Sequence, residues 1–113
     1  MGKYLILIYD EADRRAAADG ASVAGTHAAH GEFAQANGAV LRGGAQLEDA
    51  DTATSIRQAA DGGVTITDGT FVETKEVLGG FYVIESADLD EALAVARQVP
   101  APYGGVEVRP VSG

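Results

Sequence analysis

The residues of this chain that can transfer protons are few, and two of them are the histidines of the segment "THAAH". His27 and His30 are three residues apart, so a helix would place them one turn apart on the same side. An imidazole titrates near neutral pH, which makes a catalytic general base one interpretation of His27. The commoner arrangement is a histidine packed against the core with one ring nitrogen hydrogen-bonded, and both interpretations stay open.

No metal centre, cofactor site or nucleophile motif is predicted. A zincin-type pair needs histidines at i and i+4 with a Glu beside the first, and no third ligand is evident near "HAAH". The chain has no cysteine, which excludes a thiolate zinc site and a cysteine nucleophile. It also lacks a Gly-x-Ser-x-Gly elbow and both glycine-rich phosphate-binding motifs. We therefore expect neither a metal nor a cofactor.

Length and charge limit the classes of protein that remain. The 113 residues are 46% hydrophobic and 22% charged, which favours one globular domain over residues 1–113. A formal charge of −9 argues against direct nucleic-acid binding. The apolar run "YLILIY" is too short to span a membrane, and the absence of cysteine fits a reducing cytoplasm.

Hydrophobic patterning predicts an α+β order of strand, helix, strand, hairpin, strand, helix, strand. The single strands are expected over residues 3–9, 39–47, 80–85 and 106–111, with helices from about 22 to 37 and from 88 onwards. The hairpin pairs residues 52–58 with 64–67 around Asp61-Gly62-Gly63, while residues 10–20 fit either a loop or a weak helical turn. This order favours a ferredoxin-like antiparallel sheet with two helices on one face.

Capping residues set the expected helix ends. Ser22 is the predicted N-cap of the first helix, and Asn37-Gly38 its stop. Asp88 and Glu91 form a capping box for the second helix, which Pro100 helps to end.

The central strands predict self-association. "YLILIY" and "FYVI" are apolar at successive positions, so both of their faces need cover. Two helices shelter only one face of the sheet. The expected solution is a homodimer that stacks sheet on sheet.

Charged residues concentrate in the segment "TDGTFVETKE" ahead of the second apolar strand. Asp68-Gly69 has turn chemistry, while Glu73, Lys75 and Glu76 alternate in sign. They fit either a solvated rim or the polar side of a binding site. Gly79-Gly80 is expected to turn the backbone sharply into the strand.

Three segments together resemble a known family. "TDGTFVETKEVLGGFYVIE", "DLDEALAVARQVP" and "VEVRPV" are similar to the DGPF branch of the YCII-related family, whose signature is Asp-Gly-Pro-Phe-x-Glu-Thr-Lys-Glu. Thr70 stands where the signature has Pro. The resemblance implies a ferredoxin-like subunit in a dimeric α/β-barrel assembly.

The resemblance also implies a site. YCII-type proteins carry a helix histidine and a partnering Asp just after the second helix, proposed as a catalytic or ligand-binding pair. Counting back from Asn37-Gly38, His27 matches that histidine better than His30 does. The Asp has no match, because Val99-Pro100 stands near its expected position.

Two functions and one structural role follow as hypotheses. The first is a small-molecule site between the first helix, the sheet and residues 68–76, with His27 as base or anchor and His30, Asp68, Glu73 and Lys75 as ligand-binding residues. The second is a non-catalytic protein-interaction module. The resemblance implies a link to transcriptional regulation, because DGPF-type relatives are associated with extracytoplasmic-function sigma factors, and the acidic composition suits a basic protein partner. The third gives residues 68–76 only a bracing role in the dimer.

Overall fold

A computed structural model describes residues 2–70 and 75–113 of the chain. Its strands are β1 (Gly2–Glu11), β2 (Leu41–Gln46), β3 (Thr54–Gln58), β4 (Val64–Asp68), β5 (Glu76–Ser86) and β6 (Gly104–Pro110). Its helices are α1 (Ala12–Ala16), α2 (Gly20–Ala36) and α3 (Leu89–Ala96), with a 3-10 turn at Ala50–Thr52. The predicted order of elements is confirmed, and the stretch left open at residues 10–20 contains the short helix α1.

The main sheet has four antiparallel strands in the order β2-β5-β1-β6. The α2 crossover connects β1 to β2, and α3 connects β5 to β6, so each helix joins two strands that lie one strand apart. This is the split β-α-β plan of ferredoxin-like folds. The predicted α+β, ferredoxin-like class is therefore confirmed.

The core lies between this sheet and the two longer helices. Alternate residues of β1 point toward the helices, so Ile6 and Ile8 are buried while their neighbours are only partly covered. Ile84 of β5 and Phe33 of α2 complete the centre of this layer. The remaining buried apolar residues come from α3 and the segment after it: Ala92, Ala96 and Val99.

On the opposite side of the sheet, called the open face below, no helix packs among the residues that the structure describes. Its centre consists of alternate β1 residues and their cross-strand partners on β5: Leu5, Leu7, Tyr9, Phe81 and Val83, all partly exposed. A second subunit over this face stays a prediction, as does the dimeric barrel.

The helix ends show one correct and one wrong sequence prediction. Asp88 caps α3 by accepting a 2.9 Å hydrogen bond from the Glu91 backbone N–H, and the Glu91 carboxylate accepts from Ala87 N–H at 3.1 Å. The cap of α2 is Asp19 rather than Ser22, because the Asp19 carboxylate accepts from the Ser22 N–H at 2.8 Å.

Gly79 and Gly80 lie within β5, so the sharp turn expected there is wrong. The β1–β5 register shifts between Ile8 and Tyr9, which pair with Gly80 and Leu78 and leave Gly79 as the extra residue of a bulge. A Cβ at Gly79 would overlap the carboxylate of Asp10. Glycine is needed here because an acidic side chain occupies the space.

The predicted hairpin is confirmed as a separate two-stranded sheet of β3 and β4. Gly62 in its turn has a φ of +91°, a conformation that favours glycine. Within the described residues, no helix is long and apolar enough to cross a membrane.

Candidate functional site

A cavity of about 280 Å³ lies on the helix side of the sheet. It is bordered by α2, by the middle of β5 and the end of β1, and by the segment that follows α3. Eight residues with polar side chains line it, from β1, α1, α2, β2, β5 and the segment after α3: Asp10, Arg15, Thr26, His27, His30, Gln46, Tyr82 and Tyr103.

Asp10 is a carboxylate almost removed from solvent, with 8% of its surface exposed. It lies near the end of β1, and the short helix α1 returns Arg15 to it, with Nη1 of Arg15 3.2 Å from Oδ2 of Asp10. Burial raises the pKa of the Asp10 carboxyl, although Arg15 and His30 act in the opposite direction. The surroundings of Asp10 therefore disfavour the ionised form of its carboxyl group.

Arg15 is anchored on more than one side. Its second terminal nitrogen lies 3.4 Å from the Leu47 carbonyl and 3.5 Å from the Asp49 carboxylate. These contacts hold the guanidinium beside the cavity and orient it on Asp10.

His30 of α2 is half-buried and hydrogen-bonded on two sides. Its Nδ1 lies 2.7 Å from the Tyr82 hydroxyl oxygen. The ring also hydrogen-bonds the backbone of Pro100, which has only a carbonyl to offer, so the imidazole donates there. A neutral ring that donates to Pro100 accepts the Tyr82 hydroxyl proton at Nδ1.

The electrostatics keep His30 neutral. Burial lowers its pKa most, His27 lowers it further, and the Asp10 charge and the Pro100 carbonyl oppose that shift. Burial also raises the pKa of Tyr82, so its hydroxyl keeps its proton at neutral pH. The cavity thus places a neutral imidazole, a phenol and a buried carboxylate together, which is the composition of a proton-transfer site.

Tyr103 brings a second phenol to the cavity. Among the residues that the structure describes, its hydroxyl oxygen is a buried side-chain oxygen with no hydrogen-bond partner. Its backbone carbonyl is fixed by the Glu11 N–H at 2.7 Å. Leaving a buried hydroxyl unpaired costs about 1–3 kcal/mol, a cost that a ligand oxygen would remove.

The structure brings together some of the sequence-predicted site residues and not others. His27 and His30 both border the cavity, His30 half-buried and His27 exposed. Asp68 and Lys75 do not border it. Asp68 ends β4 in the separate hairpin, and the Lys75 ammonium lies 3.5 Å from Glu11 in an exposed position. Glu73 lies outside the described residues.

Sequence reasoning counted Tyr82 and Tyr103 among the few candidates for chemistry but assigned them no role, and it assigned none to Asp10 or Arg15. Asp10 and Arg15 fall in the stretch that was left open as loop or turn, and Tyr103 follows the prolines after α3. One signal in the sequence could have indicated Asp10. It is an acidic residue that directly follows the apolar run of the first strand, and the other apolar strand begins with the pair Gly79-Gly80.

The arrangement also differs from the His–Asp pair that the resemblance implied. Val99-Pro100 occupies the expected Asp position, and there the Pro100 carbonyl contacts His30. The nearby carboxylate comes instead from β1, as Asp10, and it acts on His30. Within the described ranges, no group of three His, Cys, Asp or Glu residues is arranged to hold a metal ion.

Fold and cavity define a ferredoxin-like α+β protein with a small, partly polar pocket on its helix side. The YCII-related domain matches residues 2–113, and the chain belongs to that family. An uncharacterized protein of Rhizobium meliloti (strain 1021) is 44% identical over 71 residues, which are 60% of this chain and 56% of that relative. The matched region thus spans little more than half of the relative's length.

A solved structure shares the fold at low sequence identity. It is 5-chloro-2-hydroxyhydroquinone dehydrochlorinase from Burkholderia phenoliruptrix AC1100, in complex with 2,5-dihydroxybenzoquinone. The two chains are 17% identical with a TM-score of 0.54, and the match covers 97% of this chain and 93% of the other.

Proposed function

We propose that the cavity binds a compact hydroxylated ring and that His30, Tyr82 and Asp10 move a proton on it. The observation that carries this proposal is the convergence of a buried carboxylate and a neutral, hydrogen-bonded imidazole on one cavity. Groups with shifted pKa values in a pocket are typical of functional sites.

The hydrogen bonds favour a relay rather than direct transfer to the imidazole. A ligand hydroxyl gives its proton to the Tyr82 oxygen as Tyr82 gives its own proton to Nδ1 of His30, 2.7 Å away. The imidazolium that forms is favoured by the Asp10 carboxylate, whose charge raises the pKa of His30. The ligand oxygen keeps a negative charge when its proton leaves, His30 gains the matching positive charge, and Arg15 at the cavity wall stabilises the ligand anion.

The dimensions and walls of the cavity favour a small flat ligand. A volume of about 280 Å³ lies just below the range of about 300–1,000 Å³ typical of drug-sized ligands. Ile8, Pro100 and Pro102 supply apolar wall, and the Tyr103 hydroxyl supplies a hydrogen bond to a ring oxygen. The quinone bound by the structural neighbour has this size and this kind of substituent, which supports the choice of ligand class.

The sequence-predicted residues have different places in this proposal. His27 is an anchor at the cavity rim, and His30 takes the basic role that the sequence favoured for His27. Asp68 and Lys75 are not part of the proposed site, because they do not border the cavity.

Calorimetric titration with 2,5-dihydroxybenzoquinone tests the proposal on three proteins. The wild type should bind it, and His30→Gln should bind at least about tenfold more weakly, as expected for loss of about 1.4 kcal/mol of hydrogen bonding. Asp68→Asn, which changes an exposed residue away from the cavity, should bind as the wild type does. Equal affinity of wild type and His30→Gln, or no binding to the wild type, would contradict the proposal.

We also propose that the protein acts as a homodimer joined through the open face. The centre of that face is apolar and uncharged on two neighbouring strands, and apolar sheet faces of this kind are uncommon on single chains in water. The stacking leaves the cavity accessible, because the cavity lies on the helix side of the sheet.

A further inference from the structure

The hairpin of residues 54–68, called the arm below, has one apolar face that the described residues leave largely exposed. In its antiparallel register Ile56 lies opposite Ile66, and Gln58 opposite Val64, so these side chains share a face. The exposed fractions are 55% for Ile56, 57% for Val64 and 67% for Ile66. The other face carries the polar residues Ser55, Arg57, Thr65 and Thr67.

Hydrogen bonds fix the turn and the base of the arm, but its apolar face stays exposed. Ala59 N–H donates to the Gly63 carbonyl at 2.8 Å in the turn, and the Ser55 hydroxyl donates to the Gly69 carbonyl at 2.6 Å at the base. Across the described part of the chain, neither arm strand packs extensively on the main sheet or on a helix. A two-stranded sheet is marginal in water unless a third element covers its apolar face.

The whole chain is larger and flatter than a single folded unit of its mass. Its surface of 7,467 Å² is about 1,600 Å² more than the roughly 5,800 Å² expected for an 11.6 kDa monomer. Its radius of gyration is 16.0 Å, against about 13 Å for a compact chain of this length. The dimensions of 46 × 41 × 18 Å are those of a plate rather than of a sphere.

The size of this excess exposed surface favours a second copy of the chain as the partner that covers the arm. A stable interface buries about 800 Å² on each partner, so the surplus is enough for the open face and the arm to share one interface. Two copies with a charge of −9 each must meet where acidic groups are few. The apolar face of the arm carries one acidic residue, Asp68 at its base, and the centre of the open face carries none, so both surfaces meet that condition.

We propose that the arm packs its Ile56, Val64 and Ile66 face against a second copy of this chain, extending the interface of the open face. This proposal rests on the proposed homodimer, but it assigns a separate contact to a separate element. Each arm then finds on the partner the cover that its own subunit does not provide.

Analytical ultracentrifugation of two charge-matched variants tests the arm directly. Ile56→Asp with Ile66→Asp places two carboxylates on the apolar face, and Thr65→Asp with Thr67→Asp places two on the polar face. The first pair should raise the dimer dissociation constant at least about 100-fold, since two buried isoleucines are lost from each arm. The second pair should change it less than about fivefold, as expected for exposed substitutions.

Hydrogen exchange on the unmodified chain gives a second readout that does not depend on the folding of a variant. Amides of residues 54–68 should exchange more slowly above the dimer dissociation constant than below it. A dimer that both variant pairs leave equally tight, with arm exchange independent of concentration, would overturn the arm contact and leave the homodimer standing. A wild type that stays monomeric at about 100 μM would overturn both.

Discussion

At the scale of single residues, the site depends on burial acting in opposite directions on an acid and a base. Burial disfavours charge, so it raises the pKa of Asp10 and lowers the pKa of His30. Arg15 and the mutual attraction of the two groups limit these shifts without reversing them. Burial of the Asp10 carboxylate at the cavity therefore destabilises the folded state, and destabilising residues of this kind are typical of functional positions.

The pH dependence of stability should report on His30. Its folded-state pKa lies below the unfolded value of 6.5, so the stability gained from the neutral ring is present above pH 6.5 and is lost as the pH falls through the folded pKa. Asp10 has the opposite sign, because its raised pKa gives stability below pH 3.8 that is lost as the pH rises.

Urea unfolding of wild type and His30→Gln between about pH 7 and pH 5 measures this effect. The free energy of unfolding of the wild type should fall relative to that of His30→Gln as the pH decreases. His27→Gln is the matched control, and it should keep most of the wild-type dependence because burial is the largest cause of the His30 shift. Parallel curves for wild type and His30→Gln would show that His30 is not held in a buried position.

Gly79 supplies a second test at this scale. Gly79→Ala should lower the free energy of unfolding by about 1–3 kcal/mol, because the added Cβ overlaps the Asp10 carboxylate and the overpacked bulge must shift. The control is Gly25→Ala in α2, where nothing lies within 4 Å of an added Cβ, and it should raise stability by about 0.5–1 kcal/mol. Chemical denaturation of both proteins decides, and a neutral Gly79→Ala would contradict the packing described here.

Only part of this site could be predicted from the chain. His27 and His30 were paired correctly because helical spacing fixes which residues share a side. Asp10 and Arg15 were not, since their meeting depends on a five-residue helix too short to leave a periodic signal. The preference for His27 came from the resemblance to YCII-type proteins, by counting back from Asn37-Gly38 to their helix histidine, whereas the burial that distinguishes His30 depends on where α2 crosses the sheet.

At the scale of elements, the sequence predicted best those helices and strands in which the apolar pattern and the end signals indicate the same element. The strands β1 and β5 and the helix α3 were placed within a few residues, because each combines a strong apolar pattern with clear end signals. The N-cap of α2 was misplaced by three residues, at Ser22 instead of Asp19. Asp19 and Ser22 are both good N-caps, and only the backbone conformation decides which one accepts the hydrogen bond.

The cap of α3 allows a direct test of the element. Asp88→Ala should lower the free energy of unfolding by about 0.5–2 kcal/mol, because the Glu91 N–H loses its acceptor. Asp90→Ala removes a charge from the same first turn without removing that bond, and it should cost about 0.3 kcal/mol. Equal losses in the two variants would mean that charge rather than the capping bond stabilises the helix start.

At the scale of the whole molecule, net charge and exposed apolar surface act against each other. The chain carries a formal charge of −9, yet its open face and its arm expose apolar surface. The sequence predicted the open face, because strand alternation assigns side chains to the two faces. It did not predict the uncovered arm, because a hairpin pattern does not reveal whether anything packs on it.

Salt dependence should separate apolar association from ionic association. If the subunits meet through apolar surface against like-charge repulsion, raising NaCl from about 20 mM to about 500 mM should strengthen the dimer by screening. Sedimentation equilibrium at both salt concentrations gives the two dissociation constants. A dimer that weakens at high salt would indicate that ion pairs across the interface hold the subunits together.

The central claim is that Asp10 and His30 form one electrostatically coupled pair at the cavity, and an NMR titration of the imidazole tests it most directly. The pKa of His30 should lie below 6.5 in the wild type, fall further in Asp10→Asn and rise in His27→Gln, because Asp10 raises it and His27 lowers it. A His30 pKa that is the same in wild type and Asp10→Asn, or that lies at or above 6.5, would contradict the account.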